Sequence, residues 1–323
     1  MTAGNTITIH PVTGLGEIGE GAALGPLIAD AIDLRDGDVL VVASKIVAKA
    51  EGMQRQPEPG ESVAAARQRL TLQEEVLTQT PVVTVVRTAD GLVCANAGID
   101  ASNLPSGGLL LLPEDCDASA AGLRASLTVV ADVGVIVADT FGRAWREGQT
   151  DVALGVAGLP AMRDERGRAD RNGRPLQVTL IALADQIAGA ADLVRDKSAG
   201  VPVVVVRGLD HLVGGSGVGA DLIRPAETDL FPHGRGWLAR RLATGQGAAV
   251  RRGLPTPWEC RLVARAAGVD EPKADDDGVT LRFTAATGLA AARAECCLLD
   301  LGYDVAVHPR AGQYTVVVAA TGQ

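Results

Sequence analysis

"VGVIVADTFGRAWREGQTDVALGVAGLP", residues 133–160, joins an apolar, β-branched run to the densest group of polar side chains in the chain. The whole chain is only 2% aromatic, yet Phe141 and Trp145 both fall here, among several carboxylates and arginines. The apolar run that opens the stretch has the length and composition of a buried strand. We therefore expect Asp139 and Thr140 to leave the core at the end of that strand, in a segment that carries chemistry. The alternative is a surface loop with internal salt bridges.

The overall composition is that of a soluble, acidic chain. Its 323 residues are 47% hydrophobic and 21% charged, which is enough for a large core and, as a first expectation, two domains. A formal net charge of -9 gives no basic surface for a polyanion, so nucleic acid is excluded as the main partner. A small anionic ligand would need local Arg, Lys or metal to bind.

The cysteines and the N-terminal segment indicate a compartment. The five Cys form no C-x-x-C pair, which argues against a zinc site or a disulfide framework and favours free thiols. The first thirty residues have neither a basic start nor an apolar core, and no apolar run is long enough to span a bilayer. We expect a cytoplasmic protein with no membrane partner.

The pattern of apolar residues predicts a mixed α/β (α+β) fold. Helical spacing occurs in three segments, 64–78, 117–127 and 184–194. Short β-branched runs occur in six, 39–44, 82–86, 109–113, 133–139, 178–183 and 201–206. These elements do not alternate as regular βαβ units, so we expect an irregular architecture and not a doubly wound sheet. The charged, Gly-rich segment 166–176 predicts a hairpin or loop excursion.

A change of composition near residue 234 predicts two domains, 1–234 and 235–323. The second contains two helical segments, 237–243 and 257–267, followed by a polar linker. It ends in a strand, a helix and two strands, which predicts a small appended α/β unit of unknown role.

Two segments carry residues suited to a phosphate. The glycines of "GLGEIGEG" (14–21) let backbone N–H groups approach an anion, although the segment is not a Walker loop and a plain turn is the alternative. In "SKIVAKAEG" (44–52), Ser44 would cap a helix and place Lys45 and Lys49 on one face, as point charges for phosphate. An ordinary solvated helix is the alternative there.

Two further sets of residues are candidate ligands for a hard cation. Asp100 is the only charged residue of "CANAGIDASNLP" (94–105), and Asn103 is a donor close to it in sequence. An Asx-turn is the alternative interpretation of this segment. Asp139 and Thr140 form a carboxylate–hydroxyl pair of the kind that binds Mg²⁺ or Mn²⁺.

Three segments in this order resemble the coenzyme F-420 gamma-glutamyl ligase family. They are "GDVLVVASKIVAKAEG", "GLVCANAGIDASN" and "GVIVADTFGRAWREGQTDVALGVAGLP". The resemblance covers residues 7 to about 234. It implies an irregular mixed α/β fold that assembles as a homodimer, and an enzyme that adds L-glutamate to the deazaflavin coenzyme precursor F-420-0.

The resemblance also implies a role for each matching residue. Asp100 and Asp139 would bind one divalent cation, Mg²⁺ or Mn²⁺, and Thr140 would bind a second. Contacts to GTP would come from the glycine loop, a helix start and one amide: Gly14, Leu15, Gly16, Glu17, Ser44, Lys49 and Asn103. The loop 208–222 departs from the family pattern, because it carries no Glu.

The implied reaction is amide-bond formation driven by GTP. GTP would phosphorylate a carboxylate of the coenzyme's tail, and the amine of glutamate would attack the acyl phosphate, with release of GDP and phosphate; further gamma-linked glutamates could follow. Phosphoryl transfer depends on positioning and charge neutralisation, so we expect catalytic roles for Asp139, Lys49 and Arg143. The alternatives are a paralogous GTP-dependent ligase for a different amino acid or acceptor, a nucleotide-binding regulator, and an oxidoreductase that uses the coenzyme.

Overall fold

The computed structural model describes most of the chain and divides it into two compact units. The first comprises Met1–Val76 and Thr80–Thr228, and the second comprises Leu77–Gln79 and Asp229–Gln323. The described residues are 6–80, 82–101, 107–128, 130–195, 200–225, 228–230, 255, 257–274, 280–300, 303, 305–310 and 313–319. Within those ranges no helix has the length and apolar character needed to cross a membrane. The predicted domain boundary at 234/235 lies outside the described residues and stays a prediction.

A five-stranded sheet forms the centre of the first unit. Its order is Thr8–Val12 (β1), Val203–Arg207 (β12), Val39–Ala43 (β2), Gly134–Arg143 (β8) and Arg146–Ala157 (β9). β2 and β8 are parallel, with Ala43 beside Ala138, whereas the other neighbours are antiparallel. Because the carboxyl ends of parallel strands meet at one edge, the residues that follow Ala43 and Ala138 lie together.

The two faces of this sheet are covered by different helices. One face packs against Leu24–Ala31 (α1) and Cys116–Leu127 (α4), and the other against Leu183–Asp192 (α5). Along β8, Val135 and Val137 belong to the first core. Ile136 and Ala138 belong to the second. The strands are therefore buried on both faces, which explains their continuous apolar sequences.

β8 and β9 form one long hairpin that extends beyond the core. β8 continues past Asp139 and Thr140 to Arg143, so the strand is longer than the predicted 133–139, and the two residues leave the fully buried core within the strand and not at its end. Burial decreases at Asp139 because β8 has ten residues whereas its neighbour β2 has five and ends at the level of Ala138. The tip, residues 142–149, is exposed, and Trp145 in its turn is 79% exposed.

Close backbone packing joins β9 to α4. A Cβ at Gly155 would overlap the carbonyl oxygen of Cys116, the first residue of α4. The carboxylate of Asp117 accepts hydrogen bonds from the N–H groups of Val156, at 2.8 Å, and Gly219, at 2.5 Å. A Cβ at Gly219 would in turn overlap the backbone of β9. Helix, strand and the turn at Gly219 therefore meet through main-chain atoms.

The predicted helix 64–78 is shorter than expected. Ser62 caps Val63–Thr71 (α3) by accepting a hydrogen bond of 3.2 Å from the N–H of Ala65. The chain then forms the strand Glu75–Gln79 (β4), so the helical prediction for its last residues is wrong. The apolar residues have helical spacing here, but the β-branched residues Val76 and Thr78 favour an extended backbone, and this preference prevails.

The remaining elements of the first unit are short. The helix Ser44–Ala50 (α2) follows β2 directly, and Asn96–Gly98, Asp210–Leu212 and Gly219–Leu222 are 3₁₀ turns. The short strands are Gln54–Arg55 (β3), Thr84–Arg87 (β5), Val93–Ala95 (β6), Leu109–Leu110 (β7), Met162–Asp164 (β10) and Leu180–Ala182 (β11). β10 and β11 pair and enclose the predicted excursion at 166–176, which is confirmed.

The described part of the second unit follows the predicted order of strand, helix and two strands. Its helices are Pro257–Ala267 (α6) and Gly288–Asp300 (α7), and its strands are Lys273–Ala274 (β13), Thr280–Ala285 (β14), Val305–Arg310 (β15) and Gln313–Ala319 (β16). The antiparallel sheet has the order β13-β14-β16-β15. Phe283, Leu298 and Val316 lie in its core. The predicted helix 237–243 lies outside the described residues.

We expect Gly155→Ala to destabilise the first unit by about 1 to 3 kcal/mol, because backbone atoms of β9 and α4 must separate to admit the methyl group. Gly122→Ala in the middle of α4 is the matched control, since a Cβ there meets nothing within 4 Å. It should be neutral or stabilising by up to about 1 kcal/mol. Urea unfolding followed by circular dichroism measures both, and equal stability of the two variants would contradict this packing.

Candidate active site

The carboxyl ends of β2 and β8 bring Ser44 and Asp139 together. Ser44 directly follows β2 as the first residue of α2, so the prediction that it caps this helix is wrong: the N-cap is Ala43. Asp139 follows the residue that pairs with Ala43. The Ser44 hydroxyl donates a hydrogen bond to the Asp139 carboxylate. The N–H of Thr140 donates a second, at 2.7 Å. The parallel register, which apolar residues determine, thus positions a polar pair at the edge of the sheet.

Asp139 is a carboxylate in an unfavourable electrostatic environment. Its pKa is raised, first because burial penalises the charged form, and further because of the negative charges of Asp151 and Asp100. The hydrogen bonds from the Thr140 N–H and from Ser44 lower the pKa and oppose these effects. A bound cation would favour the charged form, so this carboxylate is suited to binding one.

Asp100 contributes a second carboxylate, and Lys45 neutralises it in an ion pair. Reciprocal backbone hydrogen bonds of 2.9 and 2.8 Å with Leu110 hold Asp100 in place. Just before it, Asn96 and Ala97 have φ values of 50° and 55°, in the left-handed region that non-glycine residues rarely adopt. The backbone that leads to Asp100 is therefore strained, as is often found at functional sites.

Lys49 links α2 to the glycine loop. It is only 7% exposed, and its Nζ lies 2.5 Å from Glu17 Oε1. Gly14 and Gly16 have φ values of +83° and +69°, which glycine adopts at little cost, and Leu15 between them packs against the core. The structure therefore brings the predicted nucleotide-binding residues of the loop together with Lys49.

Thr140 faces the other side of the sheet, because successive side chains of a strand alternate. Its Oγ1 donates a hydrogen bond of 2.7 Å to Asp151 Oδ1, across the β8–β9 pair. Asp151 also forms an ion pair with Arg195, which follows α5. We had not assigned roles to these two residues. The hairpin register could have identified Asp151, but no sequence motif marks Arg195.

One of the predicted residues, Arg143, is not brought to this group. Arg143 lies four residues beyond Asp139 along β8, roughly 13 Å away in an extended strand. Its guanidinium donates to the carbonyl oxygens of Gly148, at 3.4 Å, and Glu147, at 2.5 Å, within the hairpin tip. Asn103 lies outside the described residues. The geometry therefore gives no support to a catalytic role for Arg143.

The oxygen donors are few. Among the described residues, no group of three or more His, Cys, Asp or Glu side chains is arranged to hold a metal ion. The donors at hand are the carboxylates of Asp139 and Asp100 and the hydroxyl of Ser44, while the Thr140 hydroxyl lies on the opposite face of β8. Mg²⁺ commonly binds through one or two carboxylates together with water and substrate phosphates, so this set fits such an ion better than an all-protein cage would.

The nearby cysteines are not nucleophiles. Burial raises the pKa of Cys94 to about 12, with further contributions from the charges of Asp139 and Asp90. Burial also raises the pKa of Cys116 to about 12. Both therefore remain protonated at neutral pH, and thiolate catalysis is excluded for them. All five cysteines are free, as predicted.

Asp139, the Ser44 hydroxyl and the two lysines of α2 lie at or directly after the carboxyl ends of a parallel strand pair, and Asp100 lies close enough to raise the pKa of Asp139. This combination suits an enzyme that acts on anionic substrates. The sequence pattern of the family described as "F420-0:Gamma-glutamyl ligase" matches residues 14–208. The match contains every residue to which we assigned a role in the site.

Similar proteins are named "Coenzyme F420:L-glutamate ligase". The relative from Archaeoglobus fulgidus is 41% identical over an alignment of 245 positions that covers 70% of this chain and 96% of the relative. For the relative from Natronomonas pharaonis the identity is 44% over 239 positions, with 68% of this chain and 91% of the relative covered. For the relative from Halobacterium salinarum it is 42% over 248 positions, with 70% and 96% covered. The chain belongs to the F420-0:gamma-glutamyl ligase family, so the predictions of a ligase and of a mixed α/β fold are confirmed.

We expect Asp139→Asn to stabilise the protein in metal-free buffer, because it removes a half-buried charge that Asp151 and Asp100 repel. The folded-state pKa of Asp139 is raised above its model value of 3.8, so the native protein favours the protonated carboxyl. The stability gained by the Asn variant should therefore be present at neutral pH. It should disappear below about pH 3.8, where the Asp139 carboxyl is neutral in both the folded and the unfolded protein. Urea unfolding from pH 7 down to the acid limit measures it, and a variant less stable than the unmodified protein at pH 7 would refute this account.

Proposed function

We propose that the chain joins L-glutamate to the coenzyme precursor F-420-0 in a GTP-dependent reaction that passes through an acyl phosphate. The observation that carries the proposal is that α2 contacts the Gly14–Glu17 loop through Lys49 and Asp139 through Ser44, in a member of this family. A nucleotide's phosphates need cationic and backbone N–H donors, and the γ-phosphoryl group needs charge neutralisation where it is transferred. Both kinds of group are present within α2 and the segments beside it.

The proposed chemistry consists of two substitutions. An oxygen of the tail carboxylate of F-420-0 attacks the γ-phosphorus of GTP, and the bond from that phosphorus to the β-phosphate oxygen breaks to release GDP. The amine nitrogen of glutamate then attacks the acyl carbon, loses a proton, and displaces phosphate. Repetition on the new terminal carboxylate would add further gamma-linked glutamates.

Some residues of the site would bind the nucleotide, and others would hold the cations that neutralise its charge. Lys49 would place its ammonium on the phosphates, in exchange for Glu17, and Ser44 would bind at the start of α2. A divalent cation held by Asp100 and Asp139, and a second held by Thr140, would neutralise charge on the phosphoryl oxygens. The surrounding protein is acidic, so these local charges are what an anionic substrate meets.

The direct test uses purified protein with F-420-0, GTP, Mn²⁺ and L-glutamate. We expect a mass increase of one or more glutamyl residues, together with GDP release. F-420-0 carrying ¹⁸O in its tail carboxylate should transfer one ¹⁸O to the released phosphate, which reports the acyl phosphate. No glutamate addition and no GDP would reject the proposal, whereas turnover only with another amino acid or acceptor would identify a paralogous ligase.

We expect Asp139→Ala to abolish turnover while the protein stays folded, since the variant removes the proposed cation ligand but relieves a repelled charge. Circular dichroism and urea unfolding check the fold, and GDP release checks the activity. Turnover close to that of the unmodified protein would remove Asp139 from the site.

We expect Lys49→Met to raise the KM for GTP by roughly 10- to 100-fold, the cost of one charge-assisted contact to phosphate. Lys273→Met is the matched control, because Lys273 is an exposed lysine of the second unit. Steady-state kinetics at saturating F-420-0 and glutamate measure both variants. An equal KM in the two variants would argue against a phosphate contact from Lys49.

We also propose that the chain forms the homodimer that its resemblance to the family implies. Sedimentation equilibrium of the purified chain should give twice the mass of 33.1 kDa. A monomer that turns over at the full rate would remove the dimer from the proposal without affecting the chemistry.

A further inference from the structure

A buried ion pair lies directly behind the Thr140 hydroxyl. Thr140 Oγ1 donates its hydrogen bond of 2.7 Å to one carboxylate oxygen of Asp151, and the other oxygen pairs with the guanidinium of Arg195. The side chains of Asp151 and Arg195 are 0% and 7% exposed. The three groups form a continuous polar chain from β8, through β9, to the residue that lies just after α5.

Stability alone does not explain this pair. Burying two charges is costly, and the cost is recovered only where their other polar atoms are well hydrogen-bonded. Here the Arg195 guanidinium reaches the carbonyl oxygen of Val41 only at 3.4 Å, and its Nε has no hydrogen-bond partner among the described residues. By contrast, Arg207, which binds Asp38 through Nε at 3.0 Å, also donates to the carbonyl oxygen of Asp33 at 2.5 Å.

The pair gives the Thr140 hydroxyl a fixed direction. A hydroxyl has one proton and two lone pairs. With its proton donated to the anionic Asp151, Oγ1 presents its lone pairs on the side away from the pair. A hydrogen bond to an anion also increases the electron density on the hydroxyl oxygen, as outer-shell carboxylates do for the ligands of many metal sites.

We propose that Asp151 and Arg195 are positioning residues that act through Thr140 and direct its oxygen toward the divalent cation of the nucleotide's phosphates. The inference rests on the proposed function, from which it takes the nucleotide and the cation. Asp151 accepts the hydrogen bond from the Thr140 hydroxyl, and Arg195 supplies the opposite charge beside the Asp151 carboxylate inside the protein. In this proposal neither residue touches the substrate. Both affect how tightly Thr140 binds the cation, and neither takes part in the reaction itself.

A double-mutant cycle with Asp151→Asn and Thr140→Val tests the proposal without turnover. Mn²⁺ is titrated into each protein in the presence of GDP, and free Mn²⁺ is measured by electron paramagnetic resonance. Each single variant should weaken Mn²⁺ binding roughly 10- to 100-fold, as outer-shell changes do. The double variant should bind no more weakly than Thr140→Val, because Asp151 acts only through that hydroxyl. Thr140→Ser, which keeps the hydroxyl, should bind close to the unmodified protein.

Substitutions of Arg195 test the counter-charge. Arg195→Met leaves Asp151 buried without a cation and should weaken Mn²⁺ binding at least as much as Asp151→Asn. Arg195→Lys retains a positive charge and should restore part of the loss. Equal effects of Met and Lys would contradict the role given to the charge.

Asp38→Asn is the matched structural control, because Asp38 is equally buried in an arginine pair at the opposite end of β2. It should lower the urea midpoint and leave Mn²⁺ binding unchanged. If Asp151→Asn behaves in the same way, or if the double variant shows additive losses, the pair is structural and the proposal is overturned. A protein that binds Mn²⁺ with GDP but adds no glutamate would reject the proposed function alone, since the cycle still decides the role of the pair. A protein that binds no Mn²⁺ with GDP would overturn both.

Discussion

The parallel pairing of β2 with β8 is the constraint on which the site depends. Val41 beside Ile136 and Ala43 beside Ala138 set a register that places Ser44 and Asp139 side by side. A slip of one residue would turn every side chain of β8 to the other face and would remove Asp139 from its donors. Apolar contacts far from any substrate therefore determine where the reactive oxygens lie.

Charge within the site is balanced locally. Lys45 neutralises Asp100 and Lys49 is held by Glu17, whereas Asp139 is repelled by its neighbours and has no cation of its own among the described ion pairs. An acidic protein gains affinity for an anionic substrate only through such local arrangements, since its overall field is repulsive. A cation bound beside Asp139 would relieve this repulsion and favour the charged carboxylate.

Much of this arrangement could be predicted from the sequence, for definite physical reasons. The strand-length Val runs are local signals, and they are enough to predict the central strands β2, β8 and β12. The helix predicted at 64–78 failed because local spacing competes with the β-branched residues of β4. Thr140 and Asp139 were treated as one pair because their adjacency in sequence hides the alternation of a strand. Arg195 could not be found, since its partner lies 44 residues earlier in the chain and only the packing of α5 brings them together.

The contacts at Gly155 and Gly219 limit which substitutions, insertions and deletions this fold can tolerate. Three segments meet there through main-chain atoms, so no side chain is available to grow or shrink when a neighbour changes. Insertions and deletions are then best accommodated where the chain is exposed and self-contained, as in the excursion at 166–176. Natural length variation, and any site chosen for fusing a reporter, should fall in that excursion and not beside α4.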